Sequence, residues 1–235
     1  MLKNKLLRIK EIKQETHDTK TYKFDTKGLN EIFLPGQFYM VSAVINGIEV
    51  KRAYSIASSP TEKGIIAITI KIMNGGKFST HSFERFKKGD EVNFTGPYGK
   101  FVYHDELKPV YLLGGGSGVA PLRAIMKYII DKNIQVPVKL ICSNHTPKDI
   151  IFKEEFEQWA EEHKNISCYF TITSPNGVVW NGHVGRLDQE VIKKEVDDVD
   201  GLFFICGPPV LVKAIETSLI MLGVREENIR TEKYN

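Results

Sequence analysis

The chain has 235 residues, of which 42% are hydrophobic and 26% charged, enough for one large globular domain or two small ones. A formal charge of +3 makes no case for nucleic-acid binding. No uncharged apolar run nears the roughly 20 residues that span a bilayer, and the lysine-rich start lacks a signal-peptide core and cleavage site, so a soluble cytoplasmic protein is expected.

The first hundred residues read as short strands separated by turns. Leu6 to Ile12 alternates, Gln37 to Ile45 is rich in β-formers, and Ile65 to Met73 is apolar. Pro35-Gly36, Asn46-Gly47, Asn74-Gly75-Gly76 and Gly96-Pro97 punctuate them. This rhythm predicts an antiparallel barrel or sandwich. After Gly99 strands and helices alternate: strand Val110–Leu113, helix Pro121–Ile130, strand Val138–Ser143, helix Ile151–His163, strand Ile166–Thr173. A short helix at Asp188–Glu195, strand Gly201–Cys206, helix Val210–Leu222 and strand Ile229–Lys233 follow. Such alternation predicts parallel crossovers and a doubly wound α/β sheet. The expected domains are 1–104 and 105–235.

Cys142, Cys168 and Cys206 are odd in number and never spaced as CxxC. That argues against a disulfide framework or a cluster on about four thiolates, and no metal site is expected. Redox chemistry would need an organic cofactor.

Three segments carry chemistry. The strand YLL runs into GGGSGVAP and then a helix, and glycines there allow close backbone approach to a pyrophosphate at a helix start; a tight strand-to-helix turn is the plain alternative. Cys206-Gly207-Pro208-Pro209 closes a buried strand, at the carboxyl end where ligands collect in open parallel sheets, although a buried cysteine is most often a small hydrophobe. In Arg52-Ala53-Tyr54-Ser55, alternation puts Arg52 and Tyr54 on one strand face and Ser55 on the other unless the strand turns. Arg52 offers a planar charged fork for phosphate, and Tyr54 a ring and a hydroxyl.

In order, RAYSIASSP, GGKFS (Gly75–Ser79), GPYGKF (Gly96–Phe101), GGGSGVAP, CGPP and the ending EKY resemble the ferredoxin–NADP reductase superfamily across essentially the whole chain. ETHDTKTYKF and PGQF resemble its first strands. The resemblance implies an FAD-binding β-barrel followed by a nicotinamide-binding α/β domain, without an iron–sulfur domain. It implies that Arg52 meets the flavin pyrophosphate, that Ala53 and Tyr54 lie along the flavin with Tyr54 stacked on its ring, and that Ser55 sits near the hydride-accepting nitrogen. Thr69, Ile70 and Lys71 match a strand beside the flavin, and Gly76, Lys77, Phe78, Ser79 and Thr80 a second pyrophosphate segment. Gly116, Ser117 and Gly118 match the dinucleotide pyrophosphate loop; Cys206, Gly207 and Pro208 match the wall behind the nicotinamide. Glu232 matches an acid near that site, and Tyr234 an aromatic that stacks on the flavin in some members. Ser55, Cys206 and Glu232 are thus the implied catalytic set.

No arginine follows the strands ending at Ser143 and Thr173, where a 2′-phosphate would need one. Asp149 would repel that phosphate if it faced the ribose. NADH is therefore expected over NADPH, with Lys148 and His145 keeping NADPH open. The implied reaction carries hydride from NADH to FAD and then electrons to a separate acceptor such as ferredoxin or another redox protein. A flavin reductase acting on free flavin, or a non-catalytic flavoprotein subunit of a larger redox complex, are the alternatives.

Overall fold

Leu2–Thr16 forms one long strand, β1, with the apolar Leu7 and Ile9 buried and Arg8 between them exposed. This alternation sets the inner face of a curled sheet. The computed structural model describes residues 2–29 and 33–234. It divides into one unit of residues up to His104 with Arg123–Lys132, and a second of Asp105–Leu122 with Asn133 onward.

The first unit holds β1, β2 (Thr19–Asp25), β3 (Phe38–Ile45), β4 (Ile48–Ser55), β5 (Ile65–Lys71) and β6 (Glu91–Tyr98). Their order is β4-β3-β6-β1-β2-β5, and every pairing is antiparallel. The predicted antiparallel barrel is the observed class. Register breaks in β1 bend it between β6 and β2, as bulges do. A bridge from Ile56 to Ile68 brings the β4 and β5 edges together. Inside lie Tyr22, Phe24, Tyr39, Val41, Ile66, Ile68 and Phe94.

One element departs from the expected run of strands: Lys77–Arg85 is a helix, α1. Only Phe78, Ser79 and Ser82 of its nine residues are buried, so no long apolar stripe announces it. Tertiary contacts hold it instead. The Tyr22 hydroxyl donates to Ser82 O at 2.8 Å and Lys20 Nζ to Phe83 O at 2.6 Å.

The second unit has a parallel sheet of β7 (Val110–Gly115), β8 (Val138–Asn144), β9 (Ile166–Ile172), β10 (His183–Val184), β11 (Leu202–Gly207) and β12 (Ile229–Lys233), in the order β10-β9-β8-β7-β11-β12. The helix α2 (Val119–Asp131) starts in this unit. It is followed by α3 (Lys153–Glu162), α4 (Gln189–Glu195) and α5 (Pro209–Leu222). Helices α4 and α5 cover one face, packing Val191, Ile192, Val212, Ile215 and Leu219 on Leu113, Ile141, Phe203 and Ile205. On the other face α3 meets β9, where Cys168 Sγ donates to Phe156 O at 3.5 Å. The sheet is doubly wound, as the alternation predicts. Successive strands run outward from β7 to β8 and β9, then return to β11 on its other side. The strand order therefore reverses between β7 and β11, the position where such sheets collect ligands.

Candidate functional site

In the first unit Arg52–Ser55 closes β4, an edge strand of the sheet. Arg52 pairs with Val41 and Tyr54 with Tyr39, and both partners are fully buried. Arg52 and Tyr54 therefore stand on the inner face, as alternation requires. Ser55 is buried too, at 5% exposure, because the chain turns away there: Ile56 N–H donates to Gln37 O at 2.9 Å and bridges to Ile68. Ala53 stays exposed.

Tyr54 leans on Phe78 of α1, with centroids 5.5 Å apart and rings tilted by 40°. Burial pushes its phenol well above the ordinary range, against a smaller opposite pull from the Arg52 guanidinium. The hydroxyl thus stays protonated as a donor. Arg52 is exposed, and its Nη1 donates to Lys51 O at 2.7 Å.

Beside Tyr54 lies the start of α1. Gly76 is the N-cap, and the first intrahelical bond runs from Thr80 N–H to Gly76 O at 3.0 Å. The amides of Lys77, Phe78 and Ser79 consequently have no acceptor within the helix. Gly75 has φ +71° with nothing within 4 Å of a Cβ placed there. The Ser79 hydroxyl is turned inward, accepting from Met73 N–H and donating to Gly76 O, both at 3.1 Å. A groove of about 490 Å³ runs along this helix start, lined by Val50, Gly75, Gly76, Lys77 and Thr80 among others. Unspent helix amides, an open glycine turn and the Lys77 cation fit a pyrophosphate, and the Tyr54 ring against Phe78 fits a flat heterocycle. On β5 the Thr69 hydroxyl pairs with Thr21 Oγ1 at 2.8 Å, Ile70 is buried in the core, and Lys71 Nζ is 2.9 Å from Asp18. Their side chains are engaged, so their edge backbone is what a ligand would meet.

In the second unit the glycines of the loop divide by role. A Cβ on Gly114 would lie 2.6 Å from Cys206 O, one on Gly115 2.4 Å from Ser143 O, and one on Gly118 2.3 Å from Cys206 O. These three are required by strand crowding. Gly116 differs: φ is +55° and nothing lies within 4 Å of a Cβ. Residues Gly116–Gly118 form a 3-10 turn ahead of α2, with Ser117 partly exposed. Open backbone at a helix start suits a phosphate.

Next to this loop stands the Cys206–Pro209 turn, since β11 pairs with β7 and Cys206 lies opposite Gly114. Cys206 is fully buried. Burial pushes its thiol far above the ordinary range, the Glu232 carboxylate pushes it further, and a hydrogen bond with Tyr234 acts the other way. A neutral thiol, not a thiolate nucleophile, occupies this position. Glu232 is opposite Cys206 on β12. Tyr234 N–H donates to Gly207 O at 3.1 Å, which fixes that residue beside the turn. Pro208 is exposed and caps α5, with Pro209 at its first turn.

At the ends of β8 and β9, His145 Nδ1 lies 3.2 Å from Thr173 Oγ1. Asp149 is held in a capping box, its Oδ2 accepting from Thr146 N–H at 2.8 Å and Thr146 Oγ1 at 2.7 Å. Its carboxylate thus caps the short turn Pro147–Asp149. Sequence patterning does not single out Arg123, whose buried guanidinium donates to Ala57 O at 2.5 Å, two residues past Ser55. Its place in the apolar helix PLRAIM is the one signal it carries.

A curled antiparallel sheet bearing a phosphate cradle and aromatic ring, with a doubly wound sheet bearing a glycine loop at its reversal point, defines a flavin- and dinucleotide-binding oxidoreductase. Residues 6–103 match the oxidoreductase FAD-binding domain family and residues 112–217 the oxidoreductase NAD-binding domain family. NADH-cytochrome b5 reductase 1 of Dictyostelium discoideum is 31% identical over 221 residues, covering 92% of this chain and 77% of that protein. The ferredoxin reductase in carbazole 1,9a-dioxygenase superposes with a TM-score of 0.87 at 26% identity, over 99% of this chain and 70% of that one. The FAD/NAD-binding domain of nitric oxide dioxygenase from Vibrio cholerae superposes at 0.90 with 20% identity, over 99% of both. The chain belongs to the ferredoxin–NADP reductase superfamily, as an FAD- and NAD(P)H-dependent flavoprotein oxidoreductase.

Proposed function

We propose that this protein is an NADH-dependent flavoprotein reductase that delivers electrons to a separate one-electron carrier protein. The observation behind this reading is the packing of Gly118 on Cys206 O beside the open Gly116, which joins a pyrophosphate loop to the turn that would back a nicotinamide. Among the relatives, an NADH-cytochrome b5 reductase and the ferredoxin reductase of a dioxygenase system carry names of that kind. They support the class of acceptor, a small haem or iron–sulfur protein.

FAD, when bound, supplies a ring that takes two electrons as hydride and releases them singly. The chain's own residues do the rest. Arg52, Lys77 and the first amides of α1 hold the flavin phosphates, and Tyr54 supports the ring face, with Ala53, Thr69, Ile70, Lys71, Gly76, Phe78, Ser79 and Thr80 shaping the bed. Gly116, Ser117 and Gly118 take the dinucleotide pyrophosphate, while Gly207 and Pro208 set the wall behind the nicotinamide. Ser55 donates a hydrogen bond at the reacting edge of the flavin. Cys206, a neutral apolar thiol, and Glu232 shape and polarise the nicotinamide side. Orientation, not covalent catalysis, is the protein's contribution.

The test is anaerobic titration of purified protein followed by its visible spectrum. Bound flavin should bleach with one equivalent of NADH, and oxidised cytochrome b5 or ferredoxin should then restore the colour. A protein that neither holds nor reduces flavin would sink the reading. Faster bleaching by NADPH would overturn the coenzyme preference alone.

A further inference from the structure

Along α2, Val119 to Met126 are all buried, and Arg123 is the one charged residue among them. A helix stretch enclosed on every side is ordinarily apolar, and a guanidinium there costs desolvation unless its donors are engaged. Nη1 of Arg123 donates to Ala57 O at 2.5 Å, while the same nitrogen is 3.5 Å from Glu62 Oε2. Glu62 is partly exposed. The short charge-assisted bond to the carbonyl is therefore the stronger of these two contacts.

The place of that carbonyl decides what the bond does. Ser55 ends β4, and the residues that follow it, Ile56 to Ser59, are enclosed, none of them more than 1% exposed. Ile56 N–H donates to Gln37 O at 2.9 Å and Ala57 N–H to Ala67 O at 2.8 Å. Ser58 Oγ accepts from Ala67 N–H at 2.9 Å. The amides on this exit from β4 are thus held by neighbouring backbone, and Arg123 holds the carbonyl. Glu62 Oε2 also accepts from Ser59 N–H at 2.7 Å, so one guanidinium and one carboxylate close the turn that follows Ser55.

Stability alone does not call for an arginine here, because an apolar pair of similar volume serves as well as a buried ion contact. What the guanidinium adds is direction: it fixes the Ala57 peptide against rotation. Without it a buried carbonyl has no donor, and the segment must move to find one. Ser55 joins this segment to Tyr54 in β4, so the movement reaches the serine before any other residue of the flavin bed.

We propose that Arg123 is a positioning residue for flavin reduction: by holding the Ala57 carbonyl it fixes the Ser55 hydroxyl at the reacting edge of the flavin. This rests on the role assigned to Ser55 above. A misplacement of about 1 Å, caused at a distance from the reacting atoms, costs up to about a hundredfold in rate. A small shift of this segment is therefore large enough to measure.

The experiment uses the full chain loaded with FAD, as wild type, Arg123→Gln and Arg123→Lys, each with Ser55 intact and with Ser55→Ala. It reads the rate of flavin reduction at saturating NADH by anaerobic stopped flow, the dissociation constant of NADH, the unfolding midpoint, and the visible spectrum of the bound flavin before nicotinamide is added. Glutamine is shorter and neutral; lysine keeps the charge and one reaching donor. Arg123→Gln should slow reduction about tenfold with NADH affinity within about twofold, and should move the flavin band toward that of Ser55→Ala. Arg123→Lys should recover to within about threefold of wild type. With Ser55→Ala neither change should slow reduction further, since a residue that acts through Ser55 then has nothing to position. An unchanged rate for Arg123→Gln, or equal losses with and without the Ser55 hydroxyl, overturns the proposal. A lower unfolding midpoint with rate and spectrum unmoved also overturns it, because the residue would then serve stability alone. If Arg123→Gln does not fold, Arg123→Lys decides: a loss of about two- to threefold that vanishes with Ser55→Ala supports the proposal, and any other pattern overturns it. A Ser55→Ala protein with Arg123 intact that is reduced as fast as wild type would instead defeat the reading of Ser55, and the proposal falls with it.

Discussion

Gly118 rests against the carbonyl oxygen of Cys206: a Cβ added at Gly118 would stand 2.3 Å from that oxygen and 2.8 Å from Gly207 Cα. Backbone on both sides leaves no flexible end to give way. The loop after β7 and the turn after β11 are therefore built as one piece, and the absence of a side chain at Gly118 makes this possible.

Two alanine variants separate packing from ligand approach. Gly118→Ala must push two strand ends apart and should lower stability by about 2–3 kcal/mol, read as a lower denaturant midpoint. Gly116→Ala meets no atom but must hold φ +55°, a strain of about 1–2 kcal/mol. Its larger effect should be a raised KM for NADH, because the new methyl points into open space at the loop. If both variants lose stability equally and bind NADH alike, the division of roles is wrong.

At the first unit, Tyr54→Ala should release flavin during gel filtration and give a paler protein. Tyr54→Phe keeps the ring against Phe78 and should retain colour close to wild type. Equal retention by all three forms would remove the aromatic support assigned to Tyr54.

How far these features were readable from sequence varies with their physics. The doubly wound half announces itself because each buried strand and amphipathic helix carries its own period, and helix ends there shift by only a few residues. At α3 the helix begins at Lys153, two residues after the expected Ile151, because Phe152 takes a left-handed φ of 59°. Helix α1 is silent in sequence: its polar stretch KFSTHSFER is held by Tyr22 and Lys20 from a distant strand. The same holds for roles. Arg52 and Tyr54 follow from alternation, but the burial of Ser55 needs the Ile56–Ile68 bridge. The capping box that holds Asp149 shows only in the structure. The buried, unpaired amide of Asn144 arises from tertiary packing, which no local pattern encodes.

Arg123 makes a buried contact with the segment that follows Ser55. Besides Ala57 O, its Nη1 lies 3.5 Å from Glu62 Oε2, the same oxygen that accepts from Ser59 N–H at 2.7 Å. Arg123→Leu would leave the Ala57 carbonyl without this donor and Glu62 without its cation. A loss of about 2–3 kcal/mol is expected, less than for a fully buried pair because Glu62 is partly exposed. Urea unfolding checks this, and the flavin of the variant should exchange faster with added flavin. A variant as stable as wild type would show that water replaces the guanidinium without cost.

Tyr22 ties stability to alkaline pH. It has no exposed surface, its hydroxyl donates to Ser82 O at 2.8 Å, and burial pushes its phenol from the ordinary 10 to about 12, against a smaller downward pull from the Ser82 side chain. The folded state therefore holds the proton more tightly than the unfolded chain. The stability this represents is fully present below pH 10 and is lost as pH rises from about 10 to about 12, a fall of roughly 2–3 kcal/mol. Tyr54, raised in the same direction by burial, adds to the decline. Urea midpoints measured at pH 8, 10 and 11.5 should fall steeply over the last interval. Tyr22→Phe should start about 1 kcal/mol lower through loss of the Ser82 bond and fall less steeply above pH 10. Parallel curves for the two proteins would mean that another group governs the alkaline transition.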